Sequence, residues 1–338
     1  MPRSVETATE PRIRIDRLLD DGDRRAALHD ATFWSLREQP KELPAVWLYD
    51  HRGSLLFEQI TRLPEYYLTG CERGILVAHA AELAARTQAR TLIELGAGTS
   101  EKTRILLDAL EAAGTLERFV PLDVSEEVLR ESAHAVAERY ASAGVHAIVG
   151  DFERHLGGLP EGEQRLIAFL GSTIGNLFPK RRARLLAAIA SALTPGDAFL
   201  LGIDLVKDPG RIEAAYNDTQ GVTETFVRNG LVAVNRELRG DFDQERLAFQ
   251  ARWDAEHEWM DIGFRARSQH TVTLDELEVV VELAAGERLR FEVSAKFRRE
   301  RLERELTEAG MQLDAWWPDA DREFALLLAS RCQDDSAR

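Results

Sequence analysis

Short apolar runs alternate with segments of helical spacing through the middle of the chain. From about residue 71 onward, the stretches between these runs place apolar residues three and four positions apart, which is typical of amphipathic helices. Strands that alternate with helices form βαβ units around a parallel sheet. The pattern therefore predicts an α/β fold. Its strands are expected at 91–95, 119–123, 145–149, 166–170 and 198–203.

The pattern changes between about residues 245 and 297, where apolar and polar residues alternate. Ile262 and Phe264, for example, are apolar positions that alternate with others such as Asp261 and Arg265. A period of two residues predicts antiparallel strands with one face on a core. Two further strand-like runs, near 312–317 and 323–329, surround a turn signal and predict a terminal hairpin. The hairpin would complete the parallel sheet, so the β-rich stretch is expected to be an insertion.

Composition narrows the function classes. The 338 residues include 43 basic and 58 acidic side chains, which give a formal net charge of −15. A surface of this sign repels phosphate backbones and anionic lipids, so we expect neither nucleic acid nor membrane as a partner. The two cysteines exclude a disulfide framework and a cysteine-based zinc site, and no metal site is expected. The polar start has no hydrophobic signal core, which favours a cytoplasmic protein, and we expect a monomer.

Three features follow the first three predicted strands, at the edge where ligands bind in open α/β sheets. Gly96 and Gly98 form a strand-to-helix turn, while Asp123 and Asp151 end the next two strands. Taken singly, the turn needs no ligand and each aspartate suits a loop or helix cap. Glu101 stands where a dinucleotide fingerprint would have its third glycine, which disfavours an oxidoreductase because a carboxylate repels pyrophosphate. Together the features resemble the nucleoside-binding edge of class I S-adenosylmethionine methyltransferases.

The loop after the fourth strand, from Gly171 to Asn176, is the second informative feature. From the loop alone, Asn176 is equally a helix-entry cap or an amide that holds a substrate amine and carboxylate. When this loop is taken together with the other motifs, the chain resembles the histidine Nα-methyltransferases of ergothioneine biosynthesis. The resemblance extends from about residue 45 to the end. The matching stretches are 65–67, 92–103, 149–153, 169–177, 201–209, 251–254 and 292–298.

The resemblance implies a fold and a domain layout. The fold is a Rossmann-like seven-stranded sheet with a terminal hairpin, plus a β-rich α+β substrate-binding domain inserted before the last strands. The implied segments are a disordered tail at 1–10, the N-terminal part of the substrate-binding domain at 11–70, the methyltransferase core at 71–205, the inserted substrate-binding domain at 206–296, and the completion of the core at 297–338.

The resemblance also implies the roles of individual residues. S-adenosylmethionine would be bound by Glu94, Gly96, Gly98, Ser100, Lys102, Asp123, Asp151 and Phe152. L-Histidine would be held through its head group by Tyr66, Asn176 and Tyr216, through its imidazole by Glu292 and Ser294, and on the amine and methyl-donor side by Tyr49 and Gly171. Tyr49 and Asn176 would orient the amine for three successive transfers, giving trimethylhistidine.

The residues support the imidazole assignment to a degree. Glu292 and Ser294 lie two apart on a predicted strand and so share a face, although such a face is more often simply solvated. A carboxylate accepts an N–H and a hydroxyl donates or accepts, which suits a ring with two unlike nitrogens. Ile262 stands where the family carries methionine in the pocket wall, which weakens the exclusion of an indole. A tryptophan-type N-methyltransferase and a non-enzymatic binding module remain the alternatives.

Overall fold

The computed structural model describes residues 12–332, so the tail predicted at 1–10 lies outside the described residues. This part of the chain forms fourteen strands and nine α-helices. The strands are β1 (Ile13–Arg17), β2 (Lys41–Glu42), β3 (Thr91–Leu95), β4 (Arg118–Asp123), β5 (Gly144–Val149), β6 (Arg165–Phe169), β7 (Ala198–Asp204), β8 (Leu247–Asp254), β9 (Trp259–Ala266), β10 (His270–Leu274), β11 (Val279–Leu283), β12 (Arg288–Ala295), β13 (Met311–Pro318) and β14 (Phe324–Arg331). The helices are α1 (Asp21–Ser35), α2 (His51–Ile60), α3 (Tyr67–Thr87), α4 (Arg104–Ala112), α5 (Glu126–Arg139), α6 (Pro179–Ala192), α7 (Pro209–Tyr216), α8 (Val222–Leu238) and α9 (Arg299–Glu308).

The large sheet has the strand order β1-β5-β4-β3-β6-β7-β14-β13. The first six strands in this order, from β1 at the edge to β7, pair in parallel with their neighbours. β14 is antiparallel to both β7 and β13. The predicted α/β fold with a terminal hairpin is therefore confirmed. From β3 the chain continues to β4 on one side and later to β6 on the other. This reversal is the switch point at which open α/β sheets bind ligands.

One strand of the large sheet was not expected from the sequence. β1 pairs in parallel with β5, and Ile13 lies opposite Val145. Its place corrects part of the predicted N-terminal segment at 11–70, because β1 extends the core sheet instead of the substrate-binding part. Ile13 and Ile15 pack against the main hydrophobic core, but two apolar residues in a five-residue strand are too weak a pattern to reveal it.

A second sheet, with the order β2-β12-β9-β8, joins the N-terminal segment to the insertion. β2 runs parallel to β12, while β9 is antiparallel to β12 and β8. The sequence predicted that only one side of the strands in this region faces a core. This prediction was wrong for β9, because Asp261 on its other side is only 4% exposed. Asp261 accepts hydrogen bonds of 2.9 and 2.8 Å from Arg290, and Trp259 packs on Phe178. An ion pair and an aromatic contact thus bury the second face.

The hydrophobic core lies on both faces of the large sheet. Successive strand residues point to opposite faces, so Leu92 and Phe119 join one apolar cluster while Ile93 and Val120 join the other. All five residues of β3 are buried, which fits its position in the middle of the sheet. None of the helices within residues 12–332 is long and apolar enough to cross a membrane.

Candidate active site

The glycine turn after β3 takes a backbone conformation that few residues tolerate. Gly96 and Gly98 have φ values of +67° and +49°, in the left-handed region. A Cβ on Gly96 would lie 3.9 Å from the ring of Phe152, so the turn lies next to that ring. The N–H of Gly98 donates to Asp123 at 2.9 Å, which ties the turn to the end of β4.

Two buried polar atoms beside this turn have no hydrogen-bond partner within residues 12–332. They are Oε2 of Glu94 and Oγ of Ser100, whose residues are 5% and 3% exposed. The other oxygen of Glu94 accepts from Thr103. Burial raises the pKa of Glu94 to about 8. The hydroxyl of Ser100 lies near enough to Glu94 to oppose this rise. Buried polar groups are nearly always satisfied, so these two atoms could take further partners from a polar ligand.

Asp123 and Asp151 end neighbouring strands of the sheet. Asp123 accepts from the N–H groups of Gly98 and Ser125, both at 2.9 Å, and burial nevertheless raises its pKa. Asp151 accepts from the N–H of Glu153 at 2.8 Å. The N–H of Val124 also lies close enough to lower this pKa. A carboxylate has about four acceptor sites, so Asp123 retains some capacity for hydroxyl donors. The acids predicted from the sequence therefore lie at the carboxyl ends of the neighbouring strands β4 and β5.

Lys102 forms an ion pair that was not foreseen. Its ammonium donates to Glu72, a fully buried carboxylate on α3. The other oxygen of Glu72 accepts from the backbone N–H of Gly171 at 2.7 Å. Any Cβ at Gly202 would overlap Glu72, so the glycine in β7 makes room for this carboxylate. Glu72 thus connects the glycine turn to the loop after β6, and its only sequence signal is an acid among the buried positions of α3.

Asn176 and Glu292 meet where the core contacts the insertion. Nδ2 of Asn176 donates to Oε1 of Glu292 at 2.6 Å, across 116 residues of sequence. The turn Thr173–Asn176 packs against the backbone of β12, because a Cβ on Gly175 would lie 2.7 Å from the carbonyl oxygen of Ala295. Burial raises the pKa of Glu292 to about 7, and nearby Lys296 and the Asn176 amide oppose that rise.

A β-bulge in β12 determines where Glu292 points. Arg290 pairs with Gly263 and Glu292 with Ile262, so Phe291 is an extra residue on this strand. A Cβ on Gly263 would lie 2.9 Å from Cα of Arg290, so a side chain there would push against the bulge. Bulges commonly redirect a side chain next to a functional site. Here the bulge sets Glu292 directly opposite the buried Ile262.

Ser294, two residues further along β12, belongs to a buried hydrogen-bond network. Its Oγ lies 2.9 Å from the hydroxyl of Tyr216. Nζ of Lys296 donates to the Tyr216 hydroxyl at 2.8 Å and to Ser294 at 3.0 Å, and it lies 2.7 Å from Asp204. Lys296 and Asp204 were missed from the sequence, although the alternation of residues 292, 294 and 296 could have placed the lysine on the same face.

Asp204 has a second set of partners at the end of β7. The hydroxyl of Tyr67 donates to it at 2.9 Å, and Nζ of Lys207 donates to both Asp204 and Tyr67. Burial lowers the pKa of Lys207 and of Lys296, and the charge of Asp204 opposes both shifts. Two cations therefore share one buried carboxylate.

Aromatic rings surround the same space. The ring of Tyr66 lies edge-on to that of Tyr216, with the two centroids 6.1 Å apart. The centroid of Tyr66 is 6.3 Å from that of Phe57. Tyr49 packs against Phe57 at 5.7 Å and is 41% exposed. Desolvation raises the pKa of the Tyr66 and Tyr49 hydroxyls, and Glu292 lies close enough to raise both further. Contacts thus connect a set of residues at one place, the candidate substrate cleft, whose members are Tyr49, Tyr66, Asn176, Tyr216, Ile262, Glu292 and Ser294.

Comparison with known proteins identifies the family. A family model described as "Histidine-specific methyltransferase, SAM-dependent" matches residues 28–331. The chain belongs to this family. It is 46% identical over 320 residues to the histidine N-alpha-methyltransferase of Mycobacterium tuberculosis, covering 95% of this chain and 100% of the relative. It is 50% identical over 296 residues to the enzyme of that name from Mycolicibacterium smegmatis, covering 88% and 92%. The resemblance inferred from sequence motifs is confirmed.

A fungal relative extends the comparison. Ergothioneine biosynthesis protein 1 of Neurospora crassa is 34% identical over 303 residues, which span 87% of this chain but 34% of that longer protein. Together with the mycobacterial relatives, this protein favours the interpretation as a histidine methyltransferase over that as a tryptophan enzyme.

As a member of this methyltransferase family, the protein uses S-adenosylmethionine. The residues present fit that cofactor. Glu94 and Ser100 offer unpartnered polar atoms beside the glycine turn, and Asp123 keeps acceptor capacity for a ribose diol. Glu101 is compatible because this cofactor carries no phosphate. No group of three or more His, Cys, Asp or Glu side chains in the described part of the chain could hold a metal ion.

Proposed function

We propose that the protein transfers methyl groups from S-adenosylmethionine to the α-amino nitrogen of L-histidine, three times, to give trimethylhistidine. This is the first step of ergothioneine biosynthesis. The observation that carries the proposal is the Glu292 carboxylate, which the bulge in β12 directs to Asn176 at 2.6 Å. A carboxylate at this depth suits a ring N–H better than an apolar side chain. The mycobacterial relatives, which carry histidine in their names, support the same substrate.

The cofactor would lie along the edge formed by the glycine turn and the strand-end acids. Asp123 would accept the two ribose hydroxyls, Asp151 the adenine amino group, and Phe152 would pack against the base. Glu94, Ser100 and Lys102 would surround the amino-acid end, with Gly96 and Gly98 allowing close approach. The sulfonium of the bound cofactor supplies an electrophilic methyl group, and Gly171 would line its path.

The substrate residues would hold the amine without a strong base. The reaction needs a neutral amine lone pair about 3 Å from the methyl carbon, so orientation is the main requirement. Tyr49 and Asn176 would orient the amine, since a hydroxyl and an amide oxygen both accept its N–H groups. A dimethylated amine has lost two of these donors. Contacts of Tyr66, Asn176 and Tyr216 with the carboxylate would therefore carry binding in the later rounds.

The surroundings of Glu292 favour histidine over an indole. Ile262, 2% exposed, lies opposite Glu292 and would form the apolar wall of the ring pocket. An indole would cover the carboxylate of Glu292, and it has no ring atom that accepts a hydrogen bond from Ser294. The charge of Glu292 would then be buried with fewer partners. We further propose that the enzyme acts as a cytoplasmic monomer without nucleic-acid or membrane partners, which the net charge of −15 supports.

The test is a substrate panel with the full chain. Purified protein is incubated with S-adenosylmethionine and, separately, each free L-amino acid, and the products are weighed by mass spectrometry. Histidine is expected to gain one, two and finally three methyl groups, while tryptophan gains far fewer in the same time. An Asn176→Ala variant serves as the matched control for non-enzymatic methylation. Failure to methylate histidine, or faster methylation of another amino acid, would overturn the proposal.

A further inference from the structure

Glu72 contacts both parts of the proposed active site, although the proposed reaction gives it no role. Its side chain is 0% exposed, and its two oxygens have different partners. Oε2 accepts from the ammonium of Lys102, which would lie at the amino-acid end of the cofactor. Oε1 accepts from the backbone N–H of Gly171 at 2.7 Å, at the start of the loop that carries Asn176. One buried carboxylate therefore connects a cofactor residue to a substrate loop.

The loop between Gly171 and Asn176 is held at both ends. Gly171 and Ser172 have φ values of +76° and +56°, in the left-handed region. Oγ of Ser172 also accepts from the backbone N–H of Asp204 at 3.0 Å. At the other end, a Cβ on Gly175 would lie 2.7 Å from a carbonyl oxygen of β12. Because the loop is bound this tightly, the position of its first N–H group constrains the position of its last side chain.

Lys102 has the capacity to bind a second carboxylate while it keeps the first. Its ammonium has three N–H groups, and the structure shows one of them donated to Glu72. The lysine side chain is 26% exposed, so a ligand can reach it. A Cβ on Gly171 would lie 3.7 Å from Nζ of Lys102, so the ammonium lies next to the loop as well. A cofactor carboxylate on Lys102 would hold the ammonium from a second side, and would thereby order Glu72 and the start of the loop.

We propose that Glu72 is a positioning residue through which the bound cofactor strengthens the binding of the amino acid. The inference rests on the proposed function and adds a coupling between its two ligands. The first ligand orders Lys102, Glu72 and the loop, so the second ligand binds to a loop that is already in place. Such coupling is reciprocal, so histidine strengthens cofactor binding by the same factor. Titration of either ligand alone does not show it, because it arises only when both sites are occupied.

Two further positions separate this coupling from general support of the fold. Gly202→Ala displaces the carboxylate without changing a charge, because a Cβ there would overlap Oε1 of Glu72. Asp197 provides the matched control. It is 4% exposed, pairs with Arg165 at 2.6 Å and accepts from the backbone N–H of that residue at 2.8 Å. Asp197→Asn therefore disturbs a buried ion pair of the same kind, but at the opposite edge of the sheet, where β6 and β7 begin.

The experiment measures the histidine Kd of the full chain by calorimetry, alone and with either of two saturating nucleosides. Both S-adenosylhomocysteine and 5′-methylthioadenosine carry an adenosine and a thioether and donate no methyl group, but only the first has the amino-acid end that would reach Lys102. We expect S-adenosylhomocysteine to lower the histidine Kd about tenfold, which is typical of coupled sites, and methylthioadenosine to lower it about twofold or less. Glu72→Gln keeps an acceptor for the N–H of Gly171 but loses the charge that holds Lys102. This variant and Gly202→Ala should reduce the tenfold effect to about twofold or less, whereas Asp197→Asn should retain it.

The inference is overturned if the two nucleosides lower the histidine Kd of the wild-type protein equally, or if neither lowers it. Retention of the full effect in Glu72→Gln would overturn it as well, and so would its loss in Asp197→Asn. Should Glu72→Gln not fold, Gly202→Ala and the comparison of the two nucleosides still decide. These outcomes leave the proposed function intact. A wild-type protein that neither binds nor methylates histidine would instead overturn the proposed function, and this inference with it.

Discussion

The proposed cofactor edge and the proposed substrate cleft of this protein are built in different ways. Along the cofactor edge, key contacts are local, as between Glu94 and Thr103, or join the ends of neighbouring strands, as between Gly98 and Asp123. In the substrate cleft, Asn176 and Glu292 are 116 residues apart and Tyr216 and Ser294 are 78 apart. The first region depends on backbone turns, whereas the second depends on how two sheets and a loop pack together. Substitutions should therefore affect the two binding steps separately.

The largest separation is expected from Glu292→Ala. Removing the carboxylate leaves the imidazole N–H without its charged acceptor, so kcat/KM for histidine should fall about a hundredfold, as for a lost charged hydrogen bond. The affinity for S-adenosylmethionine should change by less than about threefold. Steady-state kinetics and calorimetry measure the two quantities. Equal losses for both ligands would contradict an imidazole role for this residue.

Asp123→Ala should show the opposite behaviour. The carboxylate that receives the N–H groups of Gly98 and Ser125 would be lost together with its contacts to the ribose. We expect affinity for S-adenosylmethionine to fall about a hundredfold, since hydrogen bonds to a charged group are removed as in Glu292→Ala. Histidine affinity, measured by calorimetry on the same variant, should stay within about threefold. A larger effect on histidine would show that the two regions are coupled.

Gly263→Ala tests whether the bulge positions Glu292. The added Cβ would lie 2.9 Å from Cα of Arg290, so the strands must shift. We expect KM for histidine to rise about tenfold with little change in cofactor affinity, as a displaced hydrogen bond predicts. Gly74→Ala, on α3, is the control because a Cβ there meets nothing within 4 Å. The idea fails if Gly263→Ala behaves like this control.

The pH dependence of histidine binding should locate the ionisation of Glu292. Burial raises the pKa of Glu292 to about 7, so the carboxylate predominates above that pH and the neutral acid below it. The ratio of histidine Kd in Glu292→Gln to that in the wild type should therefore rise with pH, with a midpoint near 7, and approach one at low pH. Taking the ratio cancels the titration of histidine itself. A ratio that does not vary between about pH 5 and 9 would contradict burial of this carboxylate.

The smallest effect is expected at the pocket wall. Ile262→Met nearly conserves volume, so kcat/KM for histidine should change by less than about threefold. The longer, more flexible side chain should fill more of the ring pocket and lower any residual activity on tryptophan. Competition between the two amino acids, measured by mass spectrometry, provides both values in one assay. A large loss on histidine would mean that Ile262 contacts the ring more closely than the structure indicates.

Much of the fold and of the cofactor edge could be predicted from the sequence because their signals are local. The strand at 91–95 agrees with β3 at both ends, and Gly96, Gly98 and Asp123 stand where the pattern placed them. β1 was missed because five residues with two isoleucines carry little periodicity. The sheet in which it lies becomes evident only when its partner β5 is known.

The substrate cleft was harder to predict. Glu292 and Ser294 were assigned to the substrate site through family motifs, but nothing local showed the bulge at Phe291 that precedes them. Buried charges such as Glu72 and Lys296 look like surface residues in a sequence, because their partners Lys102 and Asp204 lie on other elements. Burial of a charge is decided by those distant partners, and a pattern of hydrophobicity does not contain them.

The most direct test of the proposed function locates the methyl groups on the product. The full chain is incubated with S-adenosylmethionine and an equimolar mixture of free amino acids, and the product is fragmented by tandem mass spectrometry. We expect histidine that carries three methyl groups, all on the α-nitrogen, with an unmodified imidazole. Methyl groups on the ring, or on another amino acid in preference to histidine, would contradict it.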